Sequence, residues 1–256
     1  MATVVIAEAG VNHNGNMGIA RQLIEQAAES GADIVKFQTY SAKDISTIDA
    51  PKAQYQSKND GAGNQQDMLS KLQLNDAQHI ELSRYCKECN IQFLSTAFGI
   101  PQLNFLLDCG IQQIKVPSGE ITHHSLLAEM ARTAKAHELP IYLSTGMSSI
   151  GEVEEALQIF INEGIKRDDI TLMHCLSSYP APSTEVNLKA IQTLKHAFMC
   201  PTGYSDHTLG IIAPIMAVTL GAEVIEKHLT LDRTLDGPDH QASLEPEEFK
   251  KMVDAI

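Results

Sequence analysis

Apolar residues along this chain fall into short continuous runs that alternate with segments of helical spacing. The runs predict eight β-strands, at Val4–Ala7, Asp33–Gln38, Ile91–Ser95, Ile111–Val116, Ile141–Ser144, Ile170–His174, Thr202–Tyr204 and Glu223–His228. Helical spacing lies between them, most clearly at Met17–Ser30, Asn75–Cys89, Gly151–Glu163 and Leu188–Phe198. Eight β-α units in 256 residues predict an α/β fold, a (β/α)8 TIM barrel formed as one domain by residues 1–256. A doubly wound open sheet is the alternative, but the chain has no glycine-rich dinucleotide-binding turn.

Two segments depart from this regular alternation. The polar segment Tyr40–Asn75 follows the second strand, and a loop of that length predicts a lid or substrate loop at the barrel mouth, with a subunit contact as the alternative. The last helix is expected to begin near Pro246 after a cap at Ser243. Because the chain ends at Ile256 inside that helix, we expect the sequence to be a fragment with a truncated final helix.

Charged residues near the strand ends share one face of their strands. Successive side chains along a strand point to opposite faces of the sheet. If the flanking apolar residues face the outer helices, the side chains that face the lumen are Glu8, Lys36, Lys115, Glu226 and His228. A buried ammonium group is unfavourable by several kcal/mol unless it is paired. An anionic ligand is the simplest partner for the two lysines. A permanent ion network with the two glutamates is the alternative, and it does not exclude a ligand.

Hydroxyl groups gather at the same strand ends. Such groups, with neighbouring backbone amides, suit phosphate and carboxylate oxygens, although ordinary turn chemistry explains each of them alone. The candidates are Ser95, Thr96, Ser118, Ser144 and Ser177.

Two histidines are expected to lie side by side. His207 follows the seventh strand and His228 ends the eighth, so both imidazoles reach the same rim of the barrel. Two neutral imidazoles suit a divalent metal and leave positions open for substrate, whereas hydrogen-bonded core histidines are the alternative.

His174, at the end of the sixth strand, is expected to pack in the lumen. Asp239, in the loop after strand eight, is either a substrate contact or base, or a plain turn residue.

The overall composition narrows the function classes. Hydrophobic residues make up 43% and the formal net charge is −13, so we expect a globular protein without a nucleic-acid-binding face. We find neither a signal peptide nor an apolar run that could span a membrane, and we expect a cytoplasmic protein with no membrane partner. The five cysteines are scattered and predict no disulfide framework, and the Cys86–Cys89 C-x-x-C pair is interpreted as two ordinary helical cysteines.

A series of short motifs runs through the chain in order. They are IAEAGVNHNG from Ile6, VKFQT from Val35, FLST from Phe93, KVPSGE from Lys115, LSTGM from Leu143, HCLSSYP from His174, YSDHTLG from Tyr204, EKH from Glu226 and GPDH from Gly237. With these motifs the chain resembles the sialic-acid (N-acetylneuraminate) synthase family across residues 3–256. The whole series is far more specific than any single motif.

The resemblance implies roles for individual residues. His207 and His228 would hold a divalent metal, usually manganese in this family, with magnesium or cobalt as alternatives. Phosphoenolpyruvate would bind to Lys36, Lys115, Ser118, Ser144 and the Ser177 position, which is often Asn in relatives. Contacts to the sugar or to the attacking water would come from Glu8, Tyr179 and Asp239, with Glu8 as the first candidate for activating water. We also expect substrate contacts from Ser95, Thr96, Ser205 and Glu226.

The implied reaction condenses phosphoenolpyruvate with open-chain N-acetylmannosamine and water, and gives N-acetylneuraminic acid and phosphate. Synthesis of N,N'-diacetyllegionaminic acid or a related nonulosonate is the alternative. A metal-dependent barrel aldolase without phosphoenolpyruvate, or a barrel that only binds a ligand, are further alternatives. Family members usually continue into an antifreeze-like domain that completes a head-to-tail homodimer. Without that domain we expect weak or absent activity but retained binding of metal and phosphoenolpyruvate.

Overall fold

Eight parallel strands form a nearly closed barrel, as the sequence pattern predicts. The structure, a computed structural model, describes residues 3–53, 56–57, 61 and 63–256. The strands are β1 Val4–Gly10, β2 Ile34–Thr39, β3 Gln92–Ala97, β4 Ile114–Val116, β5 Ile141–Ser144, β6 Ile170–Cys175, β7 Thr202–Asp206 and β8 Val224–His228. They pair in the order β3-β2-β1-β8-β7-β6-β5-β4. The predicted (β/α)8 barrel is therefore confirmed, and the open sheet is not what forms.

The seam between β3 and β4 is joined by side chains. In the described strands no ladder connects the two, and the Gln92 side-chain amide instead donates to the side-chain oxygens of Gln112 and Gln113, at 2.9 and 3.1 Å. Every other neighbouring pair is a parallel ladder, which requires a crossover connection between consecutive strands. The carboxyl ends of all eight strands consequently open at one face of the barrel.

Helices lie between the strands, and the four that the sequence predicts most clearly form at their predicted places. They are α1 Met17–Glu29, α2 Ala42–Ile45, α3 Gln65–Leu72, α4 Asp76–Glu88, α5 Ile100–Asp108, α6 His124–His137, α7 Ile150–Asn162, α8 Ala190–Phe198, α9 Ile212–Thr219 and α10 Pro246–Ala255. Asn16, Asn75 and Ser149 cap α1, α4 and α7 by accepting backbone N–H groups of the first turn. The cap predicted at Ser243 is wrong. Glu245 caps α10, because its carboxylate and that of Glu248 form a reciprocal capping box.

Strand alternation separates two apolar layers. Inside the barrel, below the charged strand ends, lie Ile6, Ile34, Leu94, Tyr142, Met173 and Val224. The opposite faces of the strands pack against the helices in a larger core that includes Val5, Ala7, Val35 and Phe37. The predicted inward and outward phases of β1 and β2 are confirmed, so the lower part of the lumen is apolar while its rim is polar.

The segment Tyr40–Asn75 is more ordered than the predicted loop, although part of its centre lies outside the described residues. The short α2 and the longer α3 bracket it. Met68 and Leu72 of α3 pack with Val11, Tyr40 and Ala42, and the Tyr40 hydroxyl donates to the Leu69 carbonyl at 3.1 Å. Since Val11 and Tyr40 directly follow β1 and β2, this cluster holds α3 against the mouth of the barrel.

The cysteines and the helices otherwise match the sequence interpretation. All five cysteines are free, and Cys86 and Cys89 lie on and just after α4, as ordinary helical residues would. None of the helices in the described part of the chain combines the length and the apolar character that crossing a bilayer requires.

Candidate functional site

One pocket at the carboxyl ends of the strands collects most of the predicted site residues. It has a volume of about 250 Å³, which suits small substrates. Its lining includes Glu8, Lys36, Thr96, Lys115, Ser118, Ser144, Tyr179, Ser205, His207, Glu226, His228 and Asp239. The structure thus brings together twelve of the fourteen residues proposed from the sequence.

Two buried lysines and two buried glutamates form an ion network across the pocket floor. Lys36 Nζ lies 2.8 Å from Glu8 Oε2 and 3.6 Å from Glu226 Oε2, and Lys115 Nζ lies 3.7 Å from Glu226 Oε1. All four side chains are at most 6% exposed. The permanent ion network considered from the sequence is present, and both lysines also face the pocket, where an anion has access to them.

The members of this network differ in how burial and charge act on their pKa values. Burial alone would raise the pKa of Glu226, but Lys115 and Lys36 outweigh it and lower that pKa to about 2. For Glu8 burial prevails over Lys36 and, with the nearby Glu226, raises the pKa of the carboxyl. Burial lowers the pKa of Lys115, whereas Glu226 and Glu8 overcome burial and raise that of Lys36. Lys36 is therefore the firmly charged cation, and Lys115 is paired less closely, with Glu226 alone at 3.7 Å.

Hydroxyl groups complete the floor but leave part of the carboxylates unsatisfied. Lys36 Nζ donates to Thr96 Oγ1 at 3.1 Å, Lys115 Nζ donates to Ser144 Oγ at 2.5 Å, and Ser205 Oγ donates to Glu226 Oε1 at 2.8 Å. Glu226 Oε2 is buried, and its nearest cation, Lys36 Nζ, is 3.6 Å away, beyond hydrogen-bond distance. Buried polar atoms without a partner are uncommon and often mark a functional site.

A glycine brings two loops into contact beside the lysines. Gly146, after β5, has φ of +48°, and a Cβ atom there would lie 2.4 Å from Ser118 Cβ. Only glycine both adopts this conformation readily and leaves space for Ser118 in the pocket wall. The LSTGM motif therefore supplies a close backbone approach as well as the Ser144 hydroxyl.

The two candidate metal ligands lie side by side, as the strand order predicts. The ring centroids of His207 and His228 are 5.4 Å apart, with the planes at 64°. His207 Nδ1 donates to the Leu176 carbonyl at 2.5 Å, so its Nε2 carries the free lone pair. His228 Nδ1 is buried without a hydrogen-bond partner and lies 4.0 Å from Asp239 Oδ2. Tyr179 stacks on His207 at a centroid distance of 4.0 Å and meets His228 edge-on at 5.7 Å.

The chemistry of this pair fits a divalent cation with open coordination positions. Burial lowers the pKa of His207 to about 4, and burial together with His207 and Lys36 lowers that of His228 well below its usual value. Both rings are thus neutral near pH 7, the form that binds a metal. Within the described residues no group of three or more His, Cys, Asp and Glu side chains has metal-binding geometry. Two imidazoles would therefore leave most of the coordination shell to water and substrate.

Asp239 is the carboxyl group best placed for proton exchange near neutral pH. Burial, and then the charge of Glu8, raise its pKa to about 7, against the weaker opposing effect of Lys36. A group with a pKa near the working pH suits general acid-base chemistry. The burial of Asp239, 8% exposed, favours the site role over the plain turn residue considered from the sequence.

Two of the proposed site residues lie elsewhere. Ser95 points to the helix side of β3, where its hydroxyl pairs with Thr39 Oγ1 at 2.7 Å, because alternation sends only the adjacent Thr96 inward. Ser177 is exposed and lines a separate depression near Met147. The predicted lumen position of His174 is also wrong. Its ring stacks on Tyr204 and bonds to the Val186 carbonyl, while Cys175 takes the inward position.

Sequence reasoning missed several residues near the site. Gln38 faces the lumen, as alternation along β2 predicts, but its role at the site was missed: its side-chain amide donates to Glu8 Oε1 at 3.2 Å. The lid segment also reaches the pocket, through Gln56, Met68, Leu69 and Leu72. This contact supports the lid or substrate-loop interpretation of Tyr40–Asn75. No periodic pattern identified these residues, because α3 is short and its contacts are tertiary.

A second buried ion pair, also missed, lies behind the two histidines. Lys227 Nζ is 2.5 Å from Asp206 Oδ2 and donates to the Thr208 carbonyl at 2.5 Å. Asp206 also accepts hydrogen bonds from the Tyr204 hydroxyl and from the backbone and hydroxyl of Thr208. The Lys227 and Asp206 side chains are 0% exposed. Since these residues are adjacent in sequence to His228 and His207, the pair ties together the strand ends that carry both imidazoles.

Comparison with known proteins places this architecture among sugar-acid synthases. A family model described as "NeuB family" matches residues 23–256. N,N'-diacetyllegionaminic acid synthase of Campylobacter jejuni is 51% identical over 99% of this chain and 75% of the relative. The protein of the same name from Legionella pneumophila is 45% identical over 100% of this chain and 72% of the relative. The crystal structure of N-acetylneuraminic acid synthetase from Leptospira borgpetersenii superposes with a TM-score of 0.88 at 35% identity, over 100% of this chain and 82% of that one.

Proposed function

Because this chain belongs to the NeuB family of nonulosonate synthases, we propose that it condenses phosphoenolpyruvate with a bacillosamine-derived sugar and water to give N,N'-diacetyllegionaminic acid and phosphate. The observation that carries the proposal is the pocket in which two lysine ammonium groups lie at the floor beside a pair of neutral imidazoles. The names of the two relatives compared above favour this product over N-acetylneuraminic acid, the first expectation from the sequence.

Phosphoenolpyruvate binds at the floor of the pocket in this proposal. Lys36 and Lys115 face its phosphate and carboxylate, and the Ser118 and Ser144 hydroxyls donate to the remaining oxygens. The nearest carboxylate oxygen to Lys115 Nζ, Glu226 Oε1, is 3.7 Å away, beyond hydrogen-bond distance, so Lys115 is the cation with most to gain from an incoming anion. Ordered donors at fixed positions stabilise the phosphate charge without reorganisation during the reaction.

His207 and His228 would hold a divalent cation, with manganese as the first choice and magnesium or cobalt as alternatives. When bound, it supplies Lewis-acid polarisation of the sugar aldehyde. The Leu176 carbonyl keeps the proton of His207 on Nδ1, and the Tyr179 ring, stacked on His207, restricts how that imidazole can turn. The chain's own contribution is thus a fixed tautomer and a fixed ring orientation.

The reaction forms one carbon–carbon bond and one carbon–oxygen bond to water, and it breaks the carbon–oxygen bond to phosphate, whose departure releases the proton of the new hydroxyl group as the keto group forms. The enol carbon of phosphoenolpyruvate attacks the aldehyde carbon, water adds to the cationic carbon that bears the phosphate ester, and the tetrahedral product expels phosphate. Asp239, with a pKa of about 7, gives a proton to the aldehyde oxygen. Glu8 takes the proton of the attacking water, since it faces the pocket and its raised pKa makes it a stronger base than an ordinary carboxylate.

A phosphate-release assay tests the proposal. The full protein that contains this chain is incubated with phosphoenolpyruvate, Mn²⁺ and a panel of sugars that includes N-acetylmannosamine and the diacetamido sugar derived from bacillosamine. We expect phosphate only when phosphoenolpyruvate and a sugar are both present, with the diacetamido sugar as the best substrate. A carbon–carbon bond formed from pyruvate without phosphate release would favour the barrel aldolase, and no product from any sugar would overturn the proposal.

A further inference from the structure

The pocket has an apolar side wall at its mouth, opposite in character to its charged floor. We call Val11, Met68, Leu69, Leu72 and Phe98 the lid wall; all five line the pocket. They form one contiguous apolar cluster, in which Met68 and Leu72 are 2% and 8% exposed and Leu69 and Phe98 pack at the edge. The lid wall therefore presents fixed apolar surface to whatever fills the outer part of the pocket.

The position of the lid wall determines which part of a substrate reaches it. Val11 follows β1 and Phe98 follows β3, while Leu69 lies on α3, so the wall lies beyond the strand ends. A sugar aldehyde must approach the floor, where the lysines and the imidazoles lie. The opposite end of an extended open-chain sugar then points outward, toward the lid wall.

Three polar side-chain groups near the lid wall already have partners. Gln38 donates to Glu8 Oε1, and the Gln56 side-chain oxygen accepts the Ala53 N–H at 2.9 Å. The Tyr40 hydroxyl is turned to the Leu69 carbonyl. A sugar hydroxyl pressed against this surface would lose its water without an equivalent replacement, whereas a methyl group would be buried favourably.

We propose that the lid wall determines sugar specificity by contacting the terminal methyl group and the acetyl methyl group of the second acetamido substituent of the sugar. It thereby selects a deoxygenated, twice-acylated sugar over a hexosamine that carries hydroxyls at those positions. The inference rests on the proposed function and names the substrate class of the same site. Discrimination of this kind in an apolar pocket typically amounts to roughly ten- to two-hundred-fold for a single group.

Leu69→Gln tests the proposal, with Lys71→Gln as the matched control. Both variants place the same amide side chain on α3, but Leu69 faces the pocket and Lys71 is exposed. The measurement is kcat/KM for the diacetamido sugar and for N-acetylmannosamine, both at saturating phosphoenolpyruvate. We expect Leu69→Gln to lower the ratio of kcat/KM for the diacetamido sugar to kcat/KM for N-acetylmannosamine by roughly tenfold or more, with the KM for phosphoenolpyruvate unchanged. Lys71→Gln should leave the ratio at its wild-type value.

A second variant guards against a folding defect in the first. Phe98→Tyr adds one hydroxyl at the edge of the wall and keeps the ring, which meets Tyr40 edge-on at 6.1 Å. The ratio should fall in this variant too, by less than in Leu69→Gln, while thermal unfolding stays close to wild type. A folded Leu69→Gln or Phe98→Tyr enzyme with an unchanged ratio overturns the lid-wall proposal alone. A wild-type preference for N-acetylmannosamine overturns both the lid-wall proposal and the proposed product. A wild-type enzyme that releases no phosphate with either sugar overturns the proposed function instead.

Discussion

Two clusters of buried charged side chains lie in this barrel, one formed by Lys227 and Asp206 and the other by Lys36, Lys115 and two glutamates, and they differ in how completely their charges are satisfied. Behind the histidines, Lys227 and Asp206 are in contact at 2.5 Å, and both Asp206 oxygens accept hydrogen bonds. In the lumen, the closest carboxylate oxygen to Lys115 is 3.7 Å away, and Glu226 Oε2 lies 3.6 Å from Lys36 Nζ, so only the Lys36–Glu8 contact, at 2.8 Å, is as close as an ordinary hydrogen bond.

This difference indicates a structural role for the Lys227–Asp206 pair and a ligand-binding role for the lumen network. A closed, fully hydrogen-bonded pair gains nothing from a ligand and would be disrupted by one. An incompletely paired network that opens into a pocket can exchange part of its internal attraction for contacts with an anion. Burial of a lysine alone therefore does not identify a binding site. The separation to its counter-ion and its access to the pocket decide the matter.

Breaking the closed pair should produce the largest effect on stability. Asp206→Ala leaves the Lys227 ammonium buried without a counter-ion, and we expect a loss of about 3–5 kcal/mol in the free energy of unfolding. Urea denaturation followed by circular dichroism measures it. The double variant Asp206→Leu with Lys227→Met removes both charges and should recover most of the loss. If the single variant is as stable as wild type, the pair is not the structural element described here.

Removing a cation from the lumen network should act on catalysis. Lys36→Met removes the group that pairs with both glutamates, and we expect phosphate release to fall roughly 100- to 1,000-fold, equivalent to about 3–4 kcal/mol. Binding of phosphoenolpyruvate, measured by calorimetry, should weaken in the same variant. Lys43→Met, at an exposed position on α2, is the control and should behave as wild type. Full activity in Lys36→Met would mean that the lumen lysines are as structural as Lys227.

A buried histidine extends the comparison to a group that burial keeps neutral. Burial lowers the pKa of His13 from 6.5 to about 4, so the unfolded chain takes up the proton first as the pH falls. Stability should be complete above pH 6.5 and decline by about 3 kcal/mol between pH 6.5 and 4 through this residue. His13→Asn should reduce that decline, because an asparagine side chain takes up no proton in this pH range. Its side-chain oxygen can still accept the Gly15 N–H, so the local hydrogen bond is kept. The exposed His137→Asn should leave the pH profile unchanged, and an equal slope in both variants would contradict this account.

Two threonine-to-valine changes provide the most sensitive comparison. Thr96 accepts from Lys36 in the lumen at 3.1 Å, whereas Thr208 donates to Asp206 in the closed pair at 3.0 Å. Each change removes one hydrogen bond of about 1 kcal/mol at nearly constant shape. We expect Thr96→Val to lower the affinity for phosphoenolpyruvate with little effect on stability, and Thr208→Val to do the reverse. If both variants changed affinity and stability to the same extent, the distinction between the two clusters would be wrong.

Strand periodicity predicts which side chains enter the lumen for much of the site, and it fails at identifiable positions. Alternation correctly places Glu8, Lys36, Lys115, Glu226 and His228 in the lumen, because apolar neighbours on these strands fix the phase. At polar strand ends, where apolar residues no longer fix the phase, the prediction fails. There Ser95 and Thr96 are indistinguishable by composition, as are His174 and Cys175, yet only the second of each pair faces inward.

The sequence by itself determined the barrel, the phase of its strands and the adjacency of the two histidines, because these follow from local periodicity and from strand order. Only the tertiary structure decided the counter-ion of each lysine, the placement of α3 over the mouth and the position of Ser177 outside the pocket. Alternation alone sends Lys36 into the lumen and Lys227 to the other side of its strand, but the distance from each lysine to its counter-ion arises from packing between strands. Such distances depend on side chains far apart in the chain, which no local pattern records.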